Sequence, residues 1–462
     1  MNRVRIRMYR QGLGDCFLLT FPGTDGDRHL LIDCGVLKGT EDATTTMQAV
    51  AANVMTTTKG SLAALVVTHE HWDHVSGFIQ AADVFKDLKT TQAWFAWTED
   101  ATDDLAQQLS VRRKKTKAAV DAAANRLALA DGASARRISS RVNALLAFSG
   151  GLAAAPGRTT ADGMAWPKQR PGAQIQYLRP GAAPHSIPGV EGVRVYVLGP
   201  PHDRQSIKKS DPSKKASEVY ELAGAGGVDA GFMAAVEAQD AGVAAAQPFD
   251  NWFGLSDEKA RQMAFFQQHY GFAEDADHGW RRIEDEWLGA AGRLALKLDS
   301  DTNNTSLALA FELLPSGRVL LFPGDAQVGN WLSWESLAWS VTDDRGTRTV
   351  TARDLLARTV LYKVGHHGSH NATLREKGLE LMTSPELAAM LPVDRRTAKK
   401  MEWNMPLPSL YTRLAAKTRG RVLDLERGIP TERPDELSDL EWAQFLSNTD
   451  SQKGWLDYWV SF

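Results

Sequence analysis

Short apolar runs separated by turn residues dominate the hydrophobic pattern of this chain. Runs rich in β-branched, leucine and aromatic residues predict strands at 62–67, 94–97, 175–178, 193–198, 306–314, 318–322 and 359–364. The spacing at 44–57 and 76–85 predicts helices, and residues 3–34 predict several short strands separated by glycine-containing turns. Strands that alternate with helices in this way predict an α/β layered fold.

The first predicted strand, residues 3–8, alternates charged and apolar residues as an edge strand does, and it contains no secretory apolar region. The only two cysteines, Cys16 and Cys34, fall on neighbouring predicted strands, and we expect them to be buried and reduced in a cytoplasmic protein. No apolar run approaches the roughly 18 residues that cross a bilayer, so we expect no membrane partner.

Composition places positive charge locally rather than globally. A chain of 462 residues with 43% hydrophobic content can bury a large core, and its net charge of −3 does not by itself indicate a nucleic-acid partner. Residues 101–150 are rich in Ala, Gln, Arg and Lys, including the run at 112–117 and Arg136-Arg137, and they predict a basic helical insertion. This insertion is either a solvated helix face or a surface that contacts nucleic-acid phosphates.

Two further regions depart from the strand pattern. Residues 203–290 begin with a polar lysine-rich stretch, continue with Ala-rich and aromatic helical patterns, and predict a second insertion or lid. Residues 373–462 predict a C-terminal helical extension. We therefore expect one domain over 1–462 that carries these additions, with no internal repeat.

Three imidazoles and one carboxylate lie within six positions, directly after the predicted strand 62–67: His69, His71, Asp73 and His74. Imidazole nitrogens and carboxylate oxygens suit zinc and similar divalent ions. His69 and His71 are two residues apart, so at a strand end they point the same way. A polar loop with solvated histidines is the alternative, but the spacing predicts a metal site.

His-x-His-x-Asp-His after an apolar strand resembles the signature of the metallo-β-lactamase superfamily. Other segments resemble its opening hairpin, its bridging aspartate and its late histidines, namely 12–19 with 30–35, 322–326 and 363–370. Residues 303–307 resemble the strand entry of one branch, the metallohydrolase domain of competence-type DNA-uptake proteins. The resemblance covers the core segments and implies an αβ/βα sandwich; it leaves the middle and the C-terminus unmatched.

The resemblance implies two divalent ions, zinc first, with manganese or iron as alternatives. His69 and His71 would hold one ion, and Asp325 would bridge the two. The second ion would be held by three side chains: Asp73, His74 and His366. His367 or His370 then remains as a candidate proton donor to a leaving group.

One position departs from the family pattern. Many relatives place the third ligand of the first metal at the end of the strand 193–198, where this chain has Gly199. His202 is a candidate replacement, with a solvent-exposed histidine as the alternative. If nothing replaces the ligand, the first metal is weakly held. Asp33, near the metal floor by resemblance, either orients a ligand or caps a turn.

The resemblance implies hydrolysis in which hydroxide held by the metals attacks the substrate, with Asp73 essential to the site. The branch that it indicates favours a phosphodiesterase or nuclease. Candidate donors to a phosphate are five polar side chains: Asn303, Asn304, Ser306, Lys363 and Ser369. A carboxylic ester, lactone or amide hydrolase is the alternative enzyme, and a non-catalytic nucleic-acid-binding module with a degenerate metal site is the alternative from another class.

Overall fold

The computed structural model describes residues 2–129, 133–150, 158–209, 255, 257–270, 286–343 and 346–462. The chain forms two compact units. Unit 1 comprises Met1–Val111, Ala147–Ala225 and Asp299–Phe462, and unit 2 comprises Arg112–Leu146 and Gly226–Leu298. Unit 2 thus draws largely on the two stretches predicted as insertions. Much of the lid expected at 203–290 lies outside the described residues.

The described strands are β1 (Arg3–Tyr9), β2 (Phe17–Phe21), β3 (Arg28–Ile32), β4 (Ser61–Val67), β5 (Lys89–Ala96), β6 (Gln174–Leu178), β7 (Val193–Gly199), β8 (Ala308–Leu313), β9 (Arg318–Phe322), β10 (Ala338–Asp343), β11 (Gly346–Thr351), β12 (Thr359–Lys363), β13 (Ala388–Leu391), β14 (Val422–Asp424), β15 (Thr449–Ser451) and β16 (Trp455–Ser461).

The described α-helices are α1 (Ala43–Thr58), α2 (Trp72–Gln80), α3 (Asp104–Leu129), α4 (Ala133–Leu146), α5 (Thr160–Lys168), α6 (Arg204–Ile207), α7 (Asp257–Gln262), α8 (Ala264–Tyr270), α9 (Glu286–Asn303), α10 (Val328–Ser333), α11 (Ala352–Ala357), α12 (Arg395–Lys400), α13 (Pro408–Lys417) and α14 (Asp439–Ser447). None of them is both long enough and apolar enough to cross a membrane.

Unit 1 contains two mixed sheets. Eight strands pair in the order β15-β16-β1-β2-β3-β4-β5-β6, and six pair in the order β14-β13-β12-β9-β8-β7. In the first sheet β3, β4, β5 and β6 run parallel, and in the second β9, β12, β13 and β14 do. The expected α/β class is confirmed.

The two sheets share one apolar core, which the alternation along the strands explains. In β2, Phe17, Leu19 and Phe21 face this core, whereas Leu18 faces a second core shared with α1, α2 and α5. Phe17 contacts Phe322 of the other sheet edge to face, with ring centroids 5.7 Å apart. The outer face of the six-stranded sheet packs on α10, α11 and α13. The layers hold the strand ends, and the loops that follow them, in fixed positions.

The C-terminal residues correct two expectations. Residues 373–462 were expected to be helical, but they supply β13 to β16 as well as helices. β16 pairs antiparallel with β1, so β1 is an inner strand rather than the edge strand that its charges suggested. The reason is complementary charge: the buried Arg7 donates to Asp457 across this pair, at 2.8 Å from Nε and 2.7 Å from Nη2.

We predict that Asp457→Ala lowers the free energy of unfolding by about 3–5 kcal/mol, because it leaves the buried guanidinium of Arg7 without its counter-charge. The double variant Arg7→Leu/Asp457→Leu should recover most of that loss. Urea unfolding followed by circular dichroism measures both. A loss under about 1 kcal/mol in the single variant would contradict the assigned ion pair.

Candidate metal centre

Three chain segments bring polar side chains to one place in unit 1, and each follows the carboxyl end of a strand. β4 leads into residues 68–71 and then α2; β9 leads to Asp325; β12 leads to a short 3-10 turn at Gly365–Gly368. β4 and β9 end in buried apolar residues and β12 ends at the buried Lys363, so the polar groups at and after these strand ends are held against a rigid core. Strand ends in α/β folds commonly carry functional groups for this reason.

Four of the side chains form a buried group: Asp73, His74, Asp325 and His367. One donor atom from each lies within 4.8 Å of all the others. Nε2 of His74 is 3.1 Å from Oδ2 of Asp325, and Nε2 of His367 is 3.0 Å from Oδ2 of Asp73. Oδ1 of Asp73 is buried and makes no hydrogen bond with the described residues. Two carboxylates and two imidazoles at these separations could hold a divalent metal ion.

The charges of the group shift its pKa values strongly. Burial would lower the pKa of His74, but the carboxylates, Asp325 first, outweigh it and raise that pKa well above its ordinary value. The pKa of His367 is likewise raised against burial, by its hydrogen bond to Asp73 and by the charge of Asp325. Burial would raise the pKa of Asp325, but His74 and Lys363 hold it well below its usual range. Without a metal, protons on the imidazoles neutralise the carboxylates.

A second carboxylate fixes the direction of His74. Oδ2 of Asp33 accepts a hydrogen bond from Nδ1 of His74 at 2.8 Å, which leaves Nε2 facing Asp325. Asp33 also accepts from the backbone N–H of Thr68 at 2.8 Å and from its hydroxyl at 2.7 Å. A carboxylate that holds the far nitrogen of a ligand histidine is a common feature of metal sites. Of the two roles left open for Asp33, the structure therefore favours the orienting one.

Two glycines let the opening hairpin lie against the start of α2, which carries Asp73 and His74. A Cβ at Gly35 would collide with the backbone of Asp73, and Gly14, at φ +150°, lies equally close to the Asp73 carbonyl. This approach allows the N–H of Asp15 to donate to the Asp73 carbonyl at 3.0 Å, and the N–H of Cys34 to the His74 carbonyl at 2.8 Å. Cys34 and Cys16 are both buried free thiols.

Asp325 is held by groups that the sequence assigned to substrate binding. Its N–H donates to Oγ of Ser306 at 3.1 Å, and its Oδ1 accepts from the backbone N–H of His366 at 3.0 Å. The buried ammonium of Lys363 pairs with Asp15 and lies 3.3 Å from Oδ1 of Asp325. Ser306 and Lys363 are therefore engaged in positioning and neutralising Asp325.

His69 and His71 form a pair beside the group of four. Nε2 of His69 is 3.1 Å from Nδ1 of His71. Burial lowers the pKa of His71 to about 3 and lowers the pKa of His69 well below its ordinary value, so both rings are neutral at pH 7. Neutral imidazole is the form that binds a metal.

The structure places the two adjacent histidines, His366 and His367, differently. His367, not His366, belongs to the group of four: its Nδ1 donates to the carbonyl of Pro392 at 2.6 Å and its Nε2 faces Asp73. Nδ1 of His366 is 2.8 Å from Oγ of Ser369, and its Nε2 is buried without a hydrogen-bond partner among the described residues. Both histidines have left-handed backbone conformations, φ 43° and 53°, which turn their rings in different directions.

The remaining candidates lie outside the group of four. Asn304 fixes backbone: its amide donates to the carbonyls of residues 207 and 209, and its Oδ1 accepts from the N–H groups of 327 and 330. Asn303 donates to Asp299 at 3.1 Å. His202, the candidate replacement for a ligand at Gly199, is exposed, bonds to Asp103 at 2.9 Å and is not part of the group of four. His370 is half-buried.

Sequence reasoning missed two acids near the centre. Asp15 lies in the opening hairpin motif, which was the available signal, and Oδ2 of Asp15 is 3.9 Å from Nδ1 of His74. Asp299 has no motif around it. It lies one turn before the end of α9, and its Oδ1 is 3.7 Å from Nε2 of His71.

No protein-family model matches the chain, and no curated protein is significantly similar to it. The resemblance therefore stands on the motifs themselves. Functional inference for this protein depends on the residues of the centre and their geometry.

We predict that Asp325→Asn removes most of the bound metal, because it takes one of the two negative charges from the group of four. Elemental analysis of purified protein should fall from one or two transition-metal ions per chain to less than about a tenth of that. Glu312→Gln is the matched control, since Glu312 is an equally buried acid paired with Arg358 at 2.7 Å. Equal metal contents in the two variants would refute the ligand assignment.

We predict that metal affinity rises with pH. The raised pKa values of His74 and His367 favour the protonated imidazoles in the metal-free protein, and an ion must displace the proton from the nitrogen that it binds. Affinity should increase about tenfold per pH unit for each proton released, until the pH passes those pKa values. Competition with a chromophoric chelator at pH 6 to 8.5 measures this. An affinity that is flat across the range would show that these imidazoles are not ligands.

Proposed function

We propose that this protein is a metal-dependent hydrolase of the metallo-β-lactamase superfamily, closest to the metallohydrolase domain of competence-type DNA-uptake proteins. One observation carries the proposal: the buried group of Asp73, His74, Asp325 and His367, drawn from three segments that follow strand ends. Its members come from the His-x-His-x-Asp-His motif and from the two later segments that resemble the family. Two sheets with a shared core and helices on their outer faces agree with an αβ/βα sandwich.

Divalent ions bound here would polarise the scissile group and make water nucleophilic near neutral pH. Asp73, His74, Asp325 and His367 would bind one ion, and His69 with His71 would bind another. Asp325 belongs to the first set, and its negative charge also acts to raise the pKa of His69 and of His71. His370 is then the candidate proton donor to the leaving group, because His367 is occupied by the ion.

Phosphodiester bonds are the proposed substrate class. The resemblance of residues 303–307 and 363–370 supports it. The basic run offers a second support, because Arg112, Lys114 and Lys115 of α3 are exposed and can contact phosphates. The side chains of Arg136 and Arg137 lie outside the described part of the chain. Nucleic acid is accordingly the proposed macromolecular substrate.

One observation favours the alternative of an ester, lactone or amide hydrolase. Phe148 stacks on Trp403 with ring centroids 4.8 Å apart and lies 5.7 Å from the ring of His71 and 6.0 Å from that of His366. This aromatic wall beside the histidines suits an apolar substrate group better than a phosphate.

We predict that the metal-loaded protein cleaves bis-p-nitrophenyl phosphate or single-stranded DNA, and that Asp73→Ala lowers the rate by at least about 100-fold, because a donor and its negative charge are lost. Initial rates with zinc or manganese measure this. DNA binding by Asp73→Ala, followed by fluorescence anisotropy, should stay near the wild-type value if the basic helix binds independently.

Three results separate the readings. Turnover of esters or lactones without turnover of phosphodiesters would favour the alternative enzyme. Binding of DNA without turnover of any substrate would favour the non-catalytic module. Full activity in Asp73→Ala would overturn the proposed centre itself.

A further inference from the structure

We infer that Asp299 is a positioning residue of the centre. Its carboxylate accepts the Nε2–H of His71 and so directs Nδ1 of that ring towards a cation that His71 shares with His69. The inference rests on the metal centre of the proposed function, but it does not depend on which bond the protein hydrolyses. It also supplies a role for a buried acid that no motif identifies.

One nitrogen of His69 and one of His71 face each other at short range. Nε2 of His69 and Nδ1 of His71 are 3.1 Å apart. Two nitrogens that each lie about 2.0–2.1 Å from one zinc ion are themselves roughly 3.0–3.4 Å apart. The pair thus has the spacing of two ligands on a single ion, with its rings held in a buried site.

A chain of hydrogen bonds sets the tautomer of His69. The hydroxyl of Thr68 donates its only hydrogen to Asp33 at 2.7 Å. It must therefore accept from Nδ1 of His69, which is 3.0 Å away. Neutral His69 then carries its lone pair on Nε2, the nitrogen that faces His71.

The position of the proton on neutral His71 depends on which of its nitrogens binds the ion. If Nδ1 of His71 binds an ion, the single proton of the neutral ring resides on Nε2 and needs an acceptor. Oδ1 of Asp299 is 3.7 Å from Nε2, and both atoms are buried without a hydrogen-bond partner among the described residues. A small movement brings them into hydrogen-bond range, whereas leaving both unpaired is costly.

The local structure holds Asp299 for this role. Oδ2 accepts from the amide of Asn303, one turn later on α9, at 3.1 Å. That bond fixes the carboxylate and leaves Oδ1 towards His71. Asp33 and His74 show the same arrangement on the other side of the centre, where a carboxylate holds the nitrogen that faces away from the group of four.

The experiment is a zinc titration of metal-free protein, with a chromophoric chelator as competitor, on wild type, Asp299→Ala and Asp299→Asn. We expect two ions in wild type. Asp299→Ala should weaken binding of the ion at His69 and His71 about 10- to 100-fold and leave binding at the group of four unchanged. Asp299→Asn, which keeps an acceptor oxygen, should lose less. Asp301→Ala, on the same helical turn, is the matched control and should bind like wild type.

Thermal unfolding of the metal-free proteins distinguishes positioning from a general structural role. Asp299→Asn should unfold at the wild-type temperature or above, since it removes an acid whose burial is uncompensated in the absence of metal. Equal weakening of both ions together with a lower unfolding temperature would overturn the inference, as would unchanged binding of both ions in Asp299→Ala. Wild type that binds one ion only would overturn it too. Wild type that binds no ion would refute the proposed centre along with it.

Discussion

Burial of opposite charges at one point is the constraint on which this structure depends. Asp73 and Asp325 have no solvent contact, and carboxylates in such surroundings remain ionised only beside compensating positive charge. His74, His367 and Lys363 supply that charge in the absence of metal. A divalent cation would meet the same electrostatic requirement. This group of buried carboxylates and imidazoles therefore fits a cation-binding site better than a group that only stabilises the fold.

The fold meets this requirement with backbone as much as with side chains. The sheets bury their apolar residues in a common core and present the segments after β4, β9 and β12 to one another. Gly35 and Gly14 allow the opening hairpin to approach Asp73 at the start of α2. The hydroxyl of Ser306 and the N–H of His366 hold Asp325 by hydrogen bonds. Contacts with the surrounding protein thus hold the donors of the group, so a bound ion is not needed to fix their positions.

The sequence could predict the parts of this centre that are encoded locally. The spacing of His69 to His74 after an apolar strand is a short-range signal, and two of its residues, Asp73 and His74, lie in the buried group that could hold a metal ion. The choice between His366 and His367 was not accessible, because adjacent residues are distinguished only by backbone dihedral angles in the 3-10 turn. Asn304 was predicted to bind substrate, whereas in the structure its amide bonds to backbone groups; a polar residue at a turn gives the same local sequence signal in either role. Asp299 escaped notice because its partner lies more than 200 positions earlier, on a different element. The strand β16 was missed because a strand that pairs with the other end of the chain carries no local turn signal.

The pairing of β16 with β1 has a consequence for how the molecule is made. The two strands form contacts 450 residues apart, so on the ribosome β1 lacks its partner β16 until some 450 further residues have been synthesised. β1 therefore waits as an edge until β16 has been made, and the alternate arginines of Arg3–Tyr9 keep that edge from pairing with other chains.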